Sequence, residues 1–152
     1  MTENSTLTFS KLAPADTVGH VEKQSLINFL YNHLDEFGDD KADIEKAIDY
    51  ALNRGSHPGG VIVVARDGNE VVGCVVVNRT GMAGYIPDNI LVYIAVHGEY
   101  RGQGLGGRLM EKTIAETKGD IALHVEPHNP AKRLYERLGF ENKYLEMRWK
   151  RK

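Results

Sequence analysis

The alternation of apolar and polar positions divides the 152-residue chain into about six strand-like and four helix-like stretches. Residues 7–13, LTFSKLA, alternate and predict a first strand. Two helical patterns follow. In 18–38, Ile27, Leu30, Leu34 and Phe37 recur at three- and four-residue steps and share one face. In 41–55, Ile44, Ala47, Ile48, Ala51 and Leu52 repeat the pattern, and Gly55 supplies a stop. The stretch VIVVARDGNEVVGCVVV (61–77) holds two β-branched runs around Arg66-Asp67-Gly68-Asn69, and Asp-Gly signals a hairpin. A glycine-rich loop, 78–89, leads to ILVYIAV (90–96), an unbroken apolar run that suits a strand covered on both faces. A helix over roughly 102–118, a strand at 121–127, a short helix in PAKRLYERLG and an alternating final strand in YLEMRWK complete the pattern. A hairpin followed by strand–helix–strand predicts an α/β fold with a mixed sheet rather than a purely parallel one.

Composition narrows the function classes. The length suits one domain over 1–152, and 41% hydrophobic residues suffice for a packed core. With 19 basic against 21 acidic residues, net −2, the chain lacks the basic excess of a nucleic-acid or membrane-surface binder, so neither partner is expected. The single cysteine, Cys74, excludes an internal disulfide framework and reads as a buried small hydrophobe. His20, His33 and His57 show no metal-ligand spacing, and no metal is expected. The N-terminal MTENSTLTFS lacks a signal peptide's apolar core, and no stretch nears the roughly 18 apolar residues of a membrane span. The expected location is the cytoplasm.

The segment EYRGQGLGGRLM (99–110) places four glycines directly ahead of a predicted helix. Glycine lets backbone N–H groups turn toward a ligand with no Cβ in the way. At a helix start those groups are unpaired and carry the positive end of the helix dipole, which makes an anion site suited to phosphate. Arg101 and Arg108 add positive charge nearby. One phosphate reading is dinucleotide binding: Gly102, Gly104 and Gly107 satisfy G-x-G-x-x-G, with Glu126 downstream, and imply an NAD(P)-dependent oxidoreductase. Against it, HGEYR separates the strand from the first glycine, and too little chain follows to finish a doubly wound sheet.

A second reading covers more residues. Arg101, Gly104 and Gly106 in RGQGLG fit the pattern Arg/Gln-x-x-Gly-x-Gly/Ala, and Asn129, Ala131, Leu134-Tyr135 and Gly139-Phe140 answer a second motif. In that order, joined by one strand, the pair resembles the GNAT family of acyl-coenzyme A-dependent N-acetyltransferases. The order strand, two helices, three strands, helix, strand, helix, strand also resembles that family's layout. This implies a single domain with a mixed, mostly antiparallel sheet flanked by helices. Two departures stand out. Gly98 replaces a frequent proline, and His128 occupies the place seven residues before Tyr135 where many members hold Asn.

The resemblance implies acetyl-coenzyme A (or another acyl form) as co-substrate. Its pyrophosphate would rest on the loop of Gly102, Gln103, Gly104, Leu105, Gly106 and Gly107 beside Arg101. Its pantetheine arm would lie along Ile94, Ala95 and Val96 and reach Asn129. Tyr135 would protonate the departing thiolate. The acceptor would be a primary amine, on a small molecule or on a peptide or protein, and members are often homodimers. A non-catalytic acyl-coenzyme A sensor is the alternative on the same fold.

A primary amine with pKa near 10.4 must lose a proton before it attacks. His124 and Glu126 are the candidates to take it. Alternation sets both opposite Ile121, Leu123 and Val125, and nothing in the sequence chooses between them. Residues 31–50 also hold seven acids against Lys41 and Lys46, which reads either as attraction for a cationic acceptor or as a solvated helix face.

Overall fold

The structure, a computed structural model, describes residues 7–151. The first six residues of the polar N-terminal stretch and the last residue of the basic tail lie outside the described residues. Five strands form one sheet in chain order: β1 (Leu7–Leu12), β2 (Gly60–Asp67), β3 (Glu70–Arg79), β4 (Asn89–Val96) and β5 (Ile121–Leu123). The first three pairings are antiparallel and β4–β5 is parallel, so the sheet is mixed, as the pattern predicts. The hairpin turn falls one residue later than the Asp-Gly signal suggests. Asp67 pairs with Glu70, leaving Gly68 and Asn69 as the loop.

Helices cover both faces. One face carries α1 (His20–His33) and α2 (Lys41–Ala51), joined by a 3-10 turn at Asp35–Phe37. Leu26, Ile27, Leu30, Ile44 and Ile48 pack there against Ile62, Val64, Cys74 and Val76. Asp40 starts α2 by accepting the N–H of Asp43 at 2.9 Å. The other face carries α3 (Leu105–Glu116) and α4 (Ala131–Arg137), where Leu105, Leu109 and Met110 pack on Val61, Val63, Val75 and Val77. Burial of a Leu or Ile side chain contributes roughly 1.5–3 kcal/mol, so these two layers hold the sheet between them. Cys74 is fully buried, and burial pushes its thiol up to about 12, as expected of a packing residue rather than a nucleophile.

Three expectations shorten. The predicted helix at 102–118 begins only at Leu105, because Gly102 and Gly104 take positive φ. The predicted strand at 121–127 pairs with β4 over three residues only. The final strand expected in YLEMRWK does not form: residues 141–151 have neither helix nor strand and are exposed throughout. An alternating segment becomes a strand only when an edge supplies its hydrogen bonds, and here none does.

Candidate active site

The apolar run of β4 conceals a bulge. Val76 pairs with Tyr93 but Val77 pairs with Leu91, so Val92 is an extra residue in the ladder. The bulge switches faces: Leu91 packs under α3, whereas Tyr93 and Ala95 pack under α1 and α2. On its outer side β4 meets β5 only through Asn89–Leu91. From Val92 to Val96 that side has no neighbouring strand among the described residues. Asn89, buried, fixes the closed end by donating its side-chain amide to the Lys118 and Asp120 carbonyls at 2.7 and 3.1 Å. The two strands are therefore joined at one end and apart at the other.

The glycine loop lies at the open end. After Val96 the chain makes a 3-10 turn at Gly98–Tyr100 and enters α3 through Gly104, whose φ is 82°. A residue with a Cβ is strained there by roughly 1–2 kcal/mol. The first helical bond runs from the Arg108 N–H to the Gly104 carbonyl at 3.2 Å. The N–H groups of Leu105, Gly106 and Gly107 thus precede the ladder and point out of the helix start. A Cβ at Gly106 would lie 3.4 Å from Leu134 and 3.9 Å from Val96, filling the space between α3, α4 and the end of β4. That space is a cavity of about 320 Å³ bordered by Val96, Arg101, Gly102, Gly104, Leu105 and Gly106, with Pro130, Ala131 and Leu134 opposite. Amide donors at a helix start, a narrow slot and an adjoining open strand edge fit a diphosphate with a long amide-bearing arm.

The remaining predicted residues do not border this cavity. Ile94 packs toward α3 and Ala95 toward α1, on either side of the open stretch of β4. Gln103 donates to the Glu99 carbonyl at 3.1 Å, and Gly107 faces Leu134. Asn129 is occupied at the start of α4, accepting the Ala131 N–H at 2.9 Å, and borders a second hollow of about 500 Å³. Tyr135 is 7% exposed, packed near Phe140, and its hydroxyl has no hydrogen-bond partner among the described residues. Burial raises its pKa to about 12. His124 is exposed and also unpartnered among the described residues, whereas Glu126 lies 3.5 Å from Nε2 of His128. Ile121, Leu123 and Val125 pack toward α3, while β5 ends at Leu123, so His124 and Glu126 follow the strand rather than alternate within it.

Of the two arginines, Arg101 is the one tied down by polar contacts. Arg101 donates Nε to the Val96 carbonyl at 3.1 Å, Nη1 to Asp35 at 3.0 Å and Nη2 to the His33 carbonyl at 2.7 Å. It ties the C-terminus of α1 to the end of β4. Arg108 lies over the Phe9 ring, 4.9 Å from its centre.

Beyond the Arg101 tie, three further contacts escaped sequence reasoning because they join residues distant along the chain. Tyr93 donates to Asp39 at 2.5 Å. Burial, then this carboxylate, raise its pKa and keep the phenol protonated. Tyr100 donates to Asp67, whose carboxylate raises the phenol to about 12. His128 bridges Glu36 at 3.1 Å and Glu126, linking the α1–α2 connection to the segment after β5. The seven acids of 31–50 are accordingly all engaged. Asp35, Glu36 and Asp39 hold Arg101, His128 and Tyr93; Asp40 caps α2; Asp43 meets Lys46; and Glu45 and Asp49 share Lys23.

Open β4 edge, glycine-started helix and intervening slot together describe an acyl-coenzyme A-dependent transferase. Residues 58–142 match the family described as acetyltransferase (GNAT) domain, and the chain belongs to that family. It is thereby an acetyl-coenzyme A-dependent N-acetyltransferase. Solved structures agree on the fold. A GNAT-family acetyltransferase from Streptococcus pneumoniae TIGR4 is 22% identical, with a TM-score of 0.69 over 95% of this chain and 98% of that one. The NatC complex bound to Gag peptide and CoA is 21% identical, with a TM-score of 0.71 over 91% and 86%. An aminoglycoside acetyltransferase from an uncultured soil metagenomic sample, in complex with sisomicin, is 16% identical, with a TM-score of 0.66 over 98% and 99%. The dinucleotide alternative does not fit this frame. Its glycines would have to follow the strand directly, whereas a 3-10 turn intervenes and β4 lies in a mixed sheet.

Proposed function

We propose that this chain moves an acetyl group from acetyl-coenzyme A to a primary amine by direct attack, as a single cytoplasmic domain. The observation that carries the reading is the open side of β4 from Val92 to Val96, running into the free N–H groups at the start of α3. Leu105, Gly106 and Gly107 would receive the pyrophosphate. Ile94 to Val96 would pair through their backbone with the pantetheine amides, and Arg101 would hold the end of that strand in place. The bound coenzyme supplies an activated thioester. The chain supplies placement, and converting an encounter of two molecules into an in-site attack contributes several kcal/mol.

Tyr135 acts as a hydrogen-bond donor to the leaving sulfur. With a pKa near 12 it is a weaker acid than an exposed phenol, so it steadies the thiolate more by donation than by full proton transfer. On the acceptor side, His124 or Glu126 takes the amine proton, directly or through water. His124 has no hydrogen-bond or ionic partner among the described residues; Glu126 lies beside His128. The acceptor is left as an amine on a small molecule or on a peptide, because the engaged acids of 31–50 favour neither. Solved structures of similar fold include one bound to a peptide and one to an aminoglycoside.

The test pairs binding with turnover. Acetyl-coenzyme A should raise the melting temperature and NAD(H) should not, since only a ligand of the folded state stabilises it. Free thiol should then appear with at least one member of an amine and peptide panel. No shift with acetyl-coenzyme A at millimolar concentration would overturn the reading.

A further inference from the structure

The connection between α1 and α2 is pinned to β4 at two places. Asp35 holds Nη1 of Arg101 at 3.0 Å, and Nε of Arg101 reaches the Val96 carbonyl. Asp39 accepts from the Tyr93 hydroxyl at 2.5 Å. Glu36 and Phe37 lie between these pins, along the stretch of β4 that has no neighbouring strand on its outer side among the described residues. From the far side of that gap His128 meets both. Its Nε2 is 3.1 Å from Glu36, and its ring centre is 5.2 Å from that of Phe37. Glu126 lies 3.5 Å from the same nitrogen. The imidazole thus spans the opening between β4 and the segment leaving β5, which leads on into Pro130 and Ala131 at the slot.

These partners fix the tautomer. An ionised carboxylate only accepts hydrogen bonds, so Nε2, set between Glu36 and Glu126, carries the hydrogen. In the neutral ring Nδ1 is then a bare lone pair, and it has no partner among the described residues. Stoichiometry leaves work for such a group. An amine that arrives as ammonium loses two protons on its way to an amide. The first leaves before attack, to His124 or Glu126. The second leaves as the N–C bond forms. We propose that Nδ1 of His128 takes this second proton from the attacking nitrogen, while Glu36 and Glu126 hold the ring through Nε2–H. The N–C bond forms, the C–S bond breaks, and His128 passes its proton to the departing thiolate or to water. The inference rests on the transferase reading and completes its proton balance, since Tyr135 steadies the sulfur without giving up its own hydrogen. The other charged groups facing the ring are Lys132, Arg133 and Glu136 of α4, which line a hollow with it. Lys132 lies 3.9 Å from Glu136.

Ring-nitrogen magnetic resonance of the free protein reads the tautomer and needs no acceptor. The histidine signals that vanish in His128→Gln should report hydrogen on Nε2 and none on Nδ1. Hydrogen on Nδ1 overturns the proposal. With spermidine, lysine and a peptide with a free N-terminus as acceptor probes, His128→Gln should lower kcat about 100-fold, a usual worth for a placed proton acceptor. Its calorimetric affinity for acetyl-coenzyme A should match that of the native chain. The acid limb of kcat should lose one ionisation in this variant, because a protonated Nδ1 accepts nothing. Added imidazole should restore part of the rate to His128→Ala. Glu36→Gln keeps an acceptor for Nε2–H but removes the charge, and its kcat should fall between those of the native chain and His128→Gln. His128 and Glu36 are exposed, so these variants leave the core intact. Native kcat with an unaltered pH profile in His128→Gln overturns the proposal. So does a loss of coenzyme affinity that equals the loss of kcat. The transferase reading fails separately, by the absence of heat when acetyl-coenzyme A meets the native chain.

Discussion

The two faces of the sheet are built to different ends. Under α1 and α2 the helices run 14 and 11 residues, and Leu26, Leu30, Ile44, Ile48 and Ala51 are completely buried. Under α3 and α4 the second helix has seven residues, the first begins on glycine, and many of the packed residues are only half-buried: Ile94, Val96, Leu134 and Leu138 among them. The first face buys stability with continuous apolar contact. The second gives some of it up, leaving a slot between β4, α3 and α4 and a strand edge unpaired. A face that must admit a ligand keeps backbone groups unsatisfied until the ligand arrives. The comparison predicts that substitutions on the two faces fail in different currencies, stability on one and binding or turnover on the other.

The largest effect should come from the closed face. Ile48→Ala leaves a cavity in a fully buried layer and should cost about 2–5 kcal/mol, read by denaturant unfolding. Coenzyme affinity of the molecules that remain folded should not change. Tyr135→Phe keeps the packing and removes only the donor. kcat should fall roughly 10- to 100-fold, the worth of a hydrogen bond to a charged group, with coenzyme affinity unchanged by calorimetry. A loss of affinity equal to the loss of kcat would instead make Tyr135 a packing residue. Gly104→Ala should cost about 1–2 kcal/mol in stability, because φ is 82° with open space around the new methyl, and should weaken coenzyme binding about tenfold. Unchanged affinity would place the diphosphate away from the α3 start.

The smallest effect is a pH dependence at the junction of the two faces. His33 packs on Phe29 and His97, and its pKa is lowered first by burial and then by repulsion from His97 and Arg101. The unfolded chain therefore binds this proton more readily than the native one. The sign follows: stability is full above about pH 6.5 and falls as pH drops below the unfolded value. His33→Gln should flatten that acid limb of a melting-temperature profile, and an unaltered limb would assign it to other groups.

How much of this was legible depended on the range of each interaction. The α1 and α2 faces, the hairpin and β1 to β4 follow from local periodicity, since helix and strand patterns repeat within a few residues. The glycine loop was legible because Gly102, Gly104 and Gly106 are adjacent and their backbone role is local. The bulge at Val92 was not: ILVYIAV is apolar on both faces, so a change of face leaves the pattern intact. Nor were the contacts of Tyr93 with Asp39, Arg101 with Asp35 and His128 with Glu36, which close over 54, 66 and 92 residues. The tail reads as a strand for a sound reason, its alternation, but a strand needs an edge, and sequence does not say which edge is available.

In the proposed complex, coenzyme occupies the open side of β4 and the start of α3. Hydrogen exchange followed residue by residue, with and without acetyl-coenzyme A, tests it most directly. Amides within 92–96 and 104–107 should exchange more slowly, with the α1 and α2 layer changing little. Exchange unchanged at those amides under saturating ligand, or protection confined to other elements, would contradict it.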